Sequence, residues 1–320
     1  MNPLFVGIDV SSKNNVVCLM KPDGTKFSTF SVQNNLGGAK ILSEKIVSAL
    51  DKLQLSEVSI GMEATSIYGD SLVYALREDG KLARYQRKIH VLNPKQVRKF
   101  KDAYSDLPKN DYVDAFVIAD HLRFGRIASE VYMDDYRYRS LQTLTRARFD
   151  AVQNLTREKQ RFANYLFLKC SGIAQDKDMP NTSATTLALM EAFESVDELA
   201  NCDLETLTAF VSAAGRGRFA NPEATAKAVQ AAARGSYRLP KTVNDSINQA
   251  MSVSIASMRA LESQIKVLEK AIEQQFEIIP NTLTSIPGVG PVYSAGIIAE
   301  IGDIRRFESQ ASVAKYAGLV

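Results

Sequence analysis

Leu4-Phe5-Val6-Gly7-Ile8-Asp9-Val10 is an apolar run with a single carboxylate near its end, and the segments after it decide the fold. Asn15 to Met20 is a second apolar run, Pro22-Asp23-Gly24 is turn chemistry, and Lys26 to Val32 alternates polar and apolar residues. The three read as consecutive antiparallel strands. A helical pattern over Gly38 to Leu53, a strand at Val58 to Glu63, a helix over Ser66 to Glu78 and a strand at Tyr85 to Leu92 come next. Asn93-Pro94 closes the last strand and opens a short helix, whose first turn has no use for the missing proline N–H.

A three-strand meander followed by alternating helix and strand is the order of an α/β RNase H-like domain, here expected over residues 1–130. In that order Asp9 stands at the end of the first strand. Ser59-Ile60-Gly61-Met62-Glu63 is a second apolar strand ending in a carboxylate, expected beside the first. Lys109-Asn110-Asp111-Tyr112-Val113-Asp114-Ala115 starts a helix on which Asp111 and Asp114, three residues apart, share a face. Acids in a first helical turn also complement the positive helix end, which is explanation enough for an isolated Asp-x-x-Asp. Four carboxylates on three elements ask for more. A cluster of hard oxygen ligands without His or Cys suits magnesium, and two such ions roughly 4 Å apart activate the attacking oxygen and stabilise the leaving one in phosphodiester displacement. Asp9, Glu63, Asp111 and Asp114 are therefore the candidate catalytic and metal-binding residues, with Mg2+ as the expected cofactor.

Other chemistries fit less well. Gly7-Ile8-Asp9 also begins the phosphate-binding hairpin of sugar kinases and actin-like ATPases, but those need a second Gly-rich loop after a later strand, and Gly288 to Gly302 follows a helical pattern. The two histidines, His90 and His121, have no neighbouring nucleophile and acidic orienter, which argues against a Ser-His-Asp hydrolase. His121 lies seven residues past Asp114 and fits packing better than catalysis. Cys18, Cys170 and Cys202 are widely separated, against zinc or a disulfide framework.

Residues 131–280 read as long helices, a helical insertion and a coiled coil. Leu141, Leu144, Val152, Leu155, Phe162 and Leu166 are spaced for a buried seam within Tyr136 to Lys169. Met251, Met258, Leu261, Ile265, Leu268 and Ile272 follow heptad steps, fitting either a hairpin that packs on itself or a subunit contact. Ser171 to Lys241, broken by Pro180, Pro222, Pro240 and several glycines, carries no chemistry of its own. Residues 281–320 begin a further domain. There Ser285-Ile286-Pro287-Gly288-Val289-Gly290-Pro291 opens a helix in the manner of a helix-hairpin-helix element, whose backbone N–H groups meet a phosphate without reading sequence, although Gly288 and Gly290 also suit a plain tight turn.

The chain of 320 residues is 45% hydrophobic and 23% charged, ordinary globular composition, and no apolar run approaches the roughly 20 residues of a membrane span. With no signal-peptide pattern either, a cytoplasmic location is expected. A net charge of +3 is too mild to identify a nucleic-acid partner, but the charge is unevenly placed. Lys81, Arg84, Arg87, Lys88, Lys95, Arg98, Lys99 and Lys101 follow one another with no acid between them, and Arg137, Arg139, Arg146, Arg148, Arg157 and Arg161 lie on the long helix. Alone, such runs read as solvated surface. Beside a carboxylate quartet, Arg84, Arg87, Lys88, Lys95, Arg98, Lys99, Arg146, Arg148, Arg157 and Arg161, with Gly288 and Gly290, become candidate nucleic-acid contacts.

Taken together the chain resembles the DEDD transposases of the insertion-sequence family numbered 110, in its 1111 branch. The residues carrying this are Gly7-Ile8-Asp9-Val10, Gly61-Met62-Glu63-Ala64-Thr65 with Tyr68, Asn93-Pro94 with Phe100, Lys109-Asn110-Asp111 with Asp114-Ala115, Ile286 to Pro291, and Ala299 to Asp303 with Tyr316-Ala317-Gly318-Leu319. Ser66 stands where the family commonly has Gly, and Asn110 where it commonly has Thr. The resemblance implies a RuvC-like N-terminal domain, a coiled-coil connection and a C-terminal transposase domain. It implies a bacterial, nucleoid-associated homo-oligomer, dimer or tetramer, acting on donor and target DNA under a structured non-coding guide RNA. It also implies a catalytic serine shortly after the Tyr-Ala-Gly-Leu element, beyond Val320; Ser294, Ser309 and Ser312 do not match that position. The alternatives are a structure-selective endonuclease of the Holliday-junction resolvase type, which directs water with the same quartet, and a truncated nucleic-acid-binding chain without catalysis.

Overall fold

The computed structural model describes residues 3–64, 66–104, 110–125 and 136–319; Thr65, Lys109 and the expected boundary at residue 130 lie outside them. The chain divides into two compact units, Met1–Met133 and Asp134–Val320.

In the first unit β1 (Leu4–Val10), β2 (Asn14–Met20) and β3 (Lys26–Gln33) form an antiparallel meander. β4 (Glu57–Glu63) pairs with the other side of β1 in parallel, and β5 (Gln86–Leu92) pairs in parallel with β4. The order β3-β2-β1-β4-β5 is the RNase H-like arrangement expected from the sequence of elements. Parallel neighbours need crossovers, supplied by α1 (Leu36–Leu53) and by α2 (Asp70–Glu78) after a 3-10 turn at Ser66–Gly69. α3 (Pro94–Lys101) and α4 (Asp111–Phe124) follow.

Strand alternation sends side chains to two separate cores. Leu4, Val6 and Ile8 of β1 and Val58, Ile60 and Met62 of β4 pack with Leu42, Ile46 and Leu50 of α1 and Leu72 and Leu76 of α2. Phe5 of β1 and Val16, Cys18 and Met20 of β2 pack on the opposite face with Val97 of α3 and Ala115, Ile118, Ala119 and Leu122 of α4. On that second face Gly7 and Gly61 are direct register partners. A Cβ on Gly7 would collide with the Ala115 carbonyl oxygen and the Ala119 nitrogen, and one on Gly61 would stand 2.9 Å from the Leu122 side chain. α4 therefore rests on the bare backbone of the two central strands.

In the second unit α5 (Tyr136–Lys169) and α11 (Lys241–Phe276) lie along each other. Between them in sequence come α6 (Ser171–Ala174), α7 (Ala184–Ala192), α8 (Val196–Asn201), α9 (Leu204–Gly215) and α10 (Pro222–Arg234). These close over Phe162 and Leu166 of α5 and Met251, Ile255 and Met258 of α11. In the heptad seam, Met251, Met258 and Ile272 are buried and Leu261, Ile265 and Leu268 half-buried within the chain itself. α12 (Pro291–Ile301) packs through Ala295 and Ala299 against Leu141 of α5 and Ile272 and Phe276 of α11, and α13 (Gln310–Tyr316) ends the described chain. No helix of the described residues is long and apolar enough to cross a membrane.

Because the neighbours of Gly7 are backbone atoms that cannot turn aside, Gly7→Ala is expected to destabilise the protein by about 3 kcal/mol. Gly61→Ala meets the Leu122 side chain, at 2.9–3.0 Å, and no backbone atom, and is expected to cost less, about 1 kcal/mol. Urea unfolding of the two variants checks the difference, and equal costs would contradict this account of how α4 is seated.

Candidate metal centre

β1 delivers Asp9 to its carboxyl end, and the β1/β4 register pairs Ile8 with Met62, so one residue further on Glu63 comes level with Asp9. Both lie two residues past a glycine and therefore share the α4 face of the sheet. α4 begins at Asp111 because the Asn110 side chain accepts the Val113 N–H at 2.9 Å, capping its first turn. With the helix pressed onto Gly7, that turn overhangs the end of β1. Carboxylate oxygens of Asp9, Asp111 and Asp114 lie within 4.8 Å of one another; Asp9 and Asp114 are half-buried and Asp111 is exposed. Glu63 stands outside this group of three but within its electrostatic reach.

The crowding is visible in proton affinity. Burial first, then the charges of Asp114 and Asp111, push Asp9 up to about 6, with the Lys101 ammonium acting the other way. Burial, then Asp9 and Asp114, push Glu63 upward, again opposed by Lys101. A half-buried cluster of like charges favours a cation, and all-oxygen donors fit a hard divalent ion.

Two residues at this centre are not candidates from the sequence: Asn34 carries no signal there, and Lys101 is only one more member of the basic run. Lys101, the last residue of α3, forms an ion pair with Asp114. Asn34 donates its amide to the carbonyls of Ser11 at 2.8 Å and Tyr68 at 3.1 Å, and accepts from the fully buried Asn15 at 3.2 Å. One side chain thus ties the turn after β1 to the turn after β4, the two backbones that carry Asp9 and Glu63. His121 is a core residue, stacked on Phe100 with ring centroids 4.7 Å apart, and burial lowers its proton affinity.

The candidate nucleic-acid contacts divide. Lys95, Arg98 and Lys99 are exposed on α3, the helix whose end reaches the carboxylates, and Arg84 and Lys88 are exposed before it. Arg87 instead donates to the carbonyls of Leu76 at 3.3 Å, Asp79 at 2.9 Å and Arg77, closing the end of α2. On α5, Arg146 makes a two-pronged pair with Glu300 at 2.8 Å and Arg148 pairs with Glu269 at 2.7 Å. Arg161 pairs with Glu158 at 2.6 Å, and Arg157 reaches Asn154 at 3.4 Å. Arg157 and Arg161 line an open groove of about 480 Å³ with Ser257, Ala260 and Leu261 of α11. Gly288, at φ +86°, and Gly290, the residue capping α12, are exposed, and a 3-10 turn at Leu283–Ser285 precedes them. Ser294 is fully buried, while Ser309 caps α13 and lies 3.1 Å from the Ser312 hydroxyl.

The DEDD transposase family model of IS110 matches residues 6–169, and that of the IS116/IS110/IS902 transposase family matches residues 281–320. The candidate transposase of the IS117 mini-circle from Streptomyces coelicolor is 26% identical over 98% of this chain and 75% of its own length. The 44.8 kDa protein of insertion element IS116 from Streptomyces clavuligerus is 25% identical over 99% of this chain and 75% of its own. Two solved structures of Thermus thermophilus RuvC, one in complex with a Holliday junction substrate, are 12% and 13% identical over 40% and 38% of this chain and 98% and 96% of their own, with TM-scores of 0.29 and 0.26. With one family model running over more than half of its length and a second over the C-terminal segment, the chain belongs to the IS110 family of transposases.

Proposed function

We propose that this transposase is a magnesium-dependent DNA recombinase whose Asp9, Glu63, Asp111 and Asp114 hold the metal, and that a structured RNA encoded by its element directs it to donor and target DNA. The observation that carries the metal reading is the meeting of Asp9, Asp111 and Asp114 within 4.8 Å. When bound, a divalent ion supplies Lewis-acid polarisation of a phosphodiester and activation of the attacking oxygen. The chain's own part is to fix the ligands through Asn110 and Asn34 and to bring phosphate to the centre through Lys95, Arg98 and Lys99. Such contacts position a nucleic acid without specifying it, which leaves the choice of sequence to base pairing with the RNA. The transposase works as a dimer or tetramer on DNA in the bacterial cytoplasm, and its strand-transfer nucleophile is a serine outside residues 1–320.

Asp9→Asn and Asp114→Asn are each expected to lower excision of the element by more than about 100-fold, the upper end of what even outer-shell partners of a metal cost. Both should keep the fold and the binding of nucleic acid. Undiminished excision in Asp9→Asn refutes the metal role. Sequencing of the nucleic acid that copurifies with the protein should return one discrete short RNA; bulk cellular RNA with no enriched species refutes the guide. Hydrolytic nicking of branched DNA by the chain alone would assign it to the resolvase type instead.

Asp9 takes up its proton near pH 6 when folded and near 3.8 when unfolded. Between those values the folded state holds the Asp9 proton and the unfolded state does not, so the contribution of Asp9 to stability without metal falls as pH rises from 3.8 to about 6 and stays at the lower level above. The difference between wild-type and Asp9→Asn melting temperatures in chelator, in which the other titrating groups cancel, should show that fall, and magnesium should reverse it at neutral pH. A melting temperature indifferent to magnesium at pH 7.5 would count against the centre.

A further inference from the structure

We propose that Lys101 is an internal cation that competes with the divalent ion for Asp114 and thereby sets how tightly the centre holds metal; this rests on the metal reading above. The ammonium of Lys101 is paired with Oδ1 of Asp114, one of the three carboxylates that converge, and neither side chain is more than about a third exposed, at 27% and 34%. Its field also reaches Asp9 and Glu63, so it acts on the cluster and not on a single acid. A carboxylate oxygen that accepts an ammonium N–H has that lone pair engaged, and a divalent ion taking Asp114 as a ligand has to displace or share it.

The surroundings give the displaced ammonium somewhere to go. α3 is anchored by Val97, which is buried, and by Phe100, stacked on His121. Its exposed face carries Lys95, Arg98 and Lys99, where a nucleic-acid phosphate is attracted. A phosphate arriving there offers Lys101 another anion, frees Asp114 and strengthens metal binding, so the two ligands help each other through one side chain. An ion pair serving only to close α3 on α4 predicts the opposite: its loss would loosen the cluster and weaken metal binding.

The test is calorimetric titration of Mn2+ into the full chain, for wild type, Lys101→Gln, Lys101→Met, Lys101→Arg and Asp9→Asn, with and without a short single-stranded oligonucleotide. Lys101→Gln and Lys101→Met are expected to tighten Mn2+ roughly fivefold without nucleic acid, near the upper end of what a solvent-screened pair is worth. Lys101→Arg should stay at the wild-type value. The oligonucleotide should tighten Mn2+ in wild type and do so less in the two neutral variants. Unchanged or weaker Mn2+ binding in both neutral variants overturns the proposal; if Asp9→Asn then still abolishes binding, the metal centre survives it. Absence of Mn2+ binding by the wild-type chain overturns the centre and this inference together.

Discussion

The close seating of α4 on the two central strands is the constraint from which the rest of the first unit follows. A helix normally rides on a sheet over intervening side chains, which hold the two backbones apart. Here Gly7 and Gly61, paired across β1 and β4, supply none, and the helix answers with the small residues Ala115 and Ala119. A Cβ at Gly7 would stand 2.1 Å from the Ala115 carbonyl oxygen, so α4 would have to lift by roughly 1 Å to restore ordinary contact. On the proposed reading the acids hold magnesium, which demands near-octahedral geometry at roughly 2.1 Å, and such a cage would tolerate little movement of this kind. Seating the helix and building the site are the same event.

The site is not free for the fold. Asp9 and Glu63 are crowded, half-buried acids, and each prefers its proton more than an exposed carboxylate does. That penalty is carried by the opposite face of the sheet, where Leu4, Val6, Ile8, Ile60 and Met62 are nearly or fully excluded from solvent and hold the same strands in register. Asn34 and Asn110 add the local restraint: the first joins the turns behind the two strand acids, and the second fixes where the helix carrying the other two begins. Apolar packing thus sets the elements in place, and a few amides set the final geometry.

Most of this frame is readable from the chain because it depends on periodicity. β1 falls where its apolar run falls, β2 and β3 within a residue of theirs, and α5 spans the whole of Tyr136 to Lys169. The convergence of Asp9, Asp111 and Asp114 is legible for a related reason, since each sits near the end of an element that a pattern locates. Lys101 and Asn34 are not, because their roles come from contact across the fold and no spacing announces them. Arg146 and Arg148 show the same limit from the other side. As a charge run they read as a solvated face, yet their partners Glu300 and Glu269 come from α12 and α11, far along the sequence. The glycines lay in plain view as Gly-x-Asp and Gly-x-Glu, but their meaning depends on a helix lying over them.

The modest net charge of +3 conceals an opposition that bears on how the centre works. On the proposed reading Lys95, Arg98 and Lys99, exposed on α3, would draw a polyanion, while the acids near the end of that helix would repel it. The screening length in physiological salt is about 8 Å, so a phosphate at the carboxylates feels the acids at close range and the exposed lysines only partly. On the proposed reading a divalent ion offsets much of the negative charge of the acids and offers a phosphate oxygen a cation to meet, so the centre would then no longer oppose the pull of the basic face. Attraction to DNA in general and admission of one phosphate to the centre would in this way be separate events, the first governed by α3 and the second by the ion.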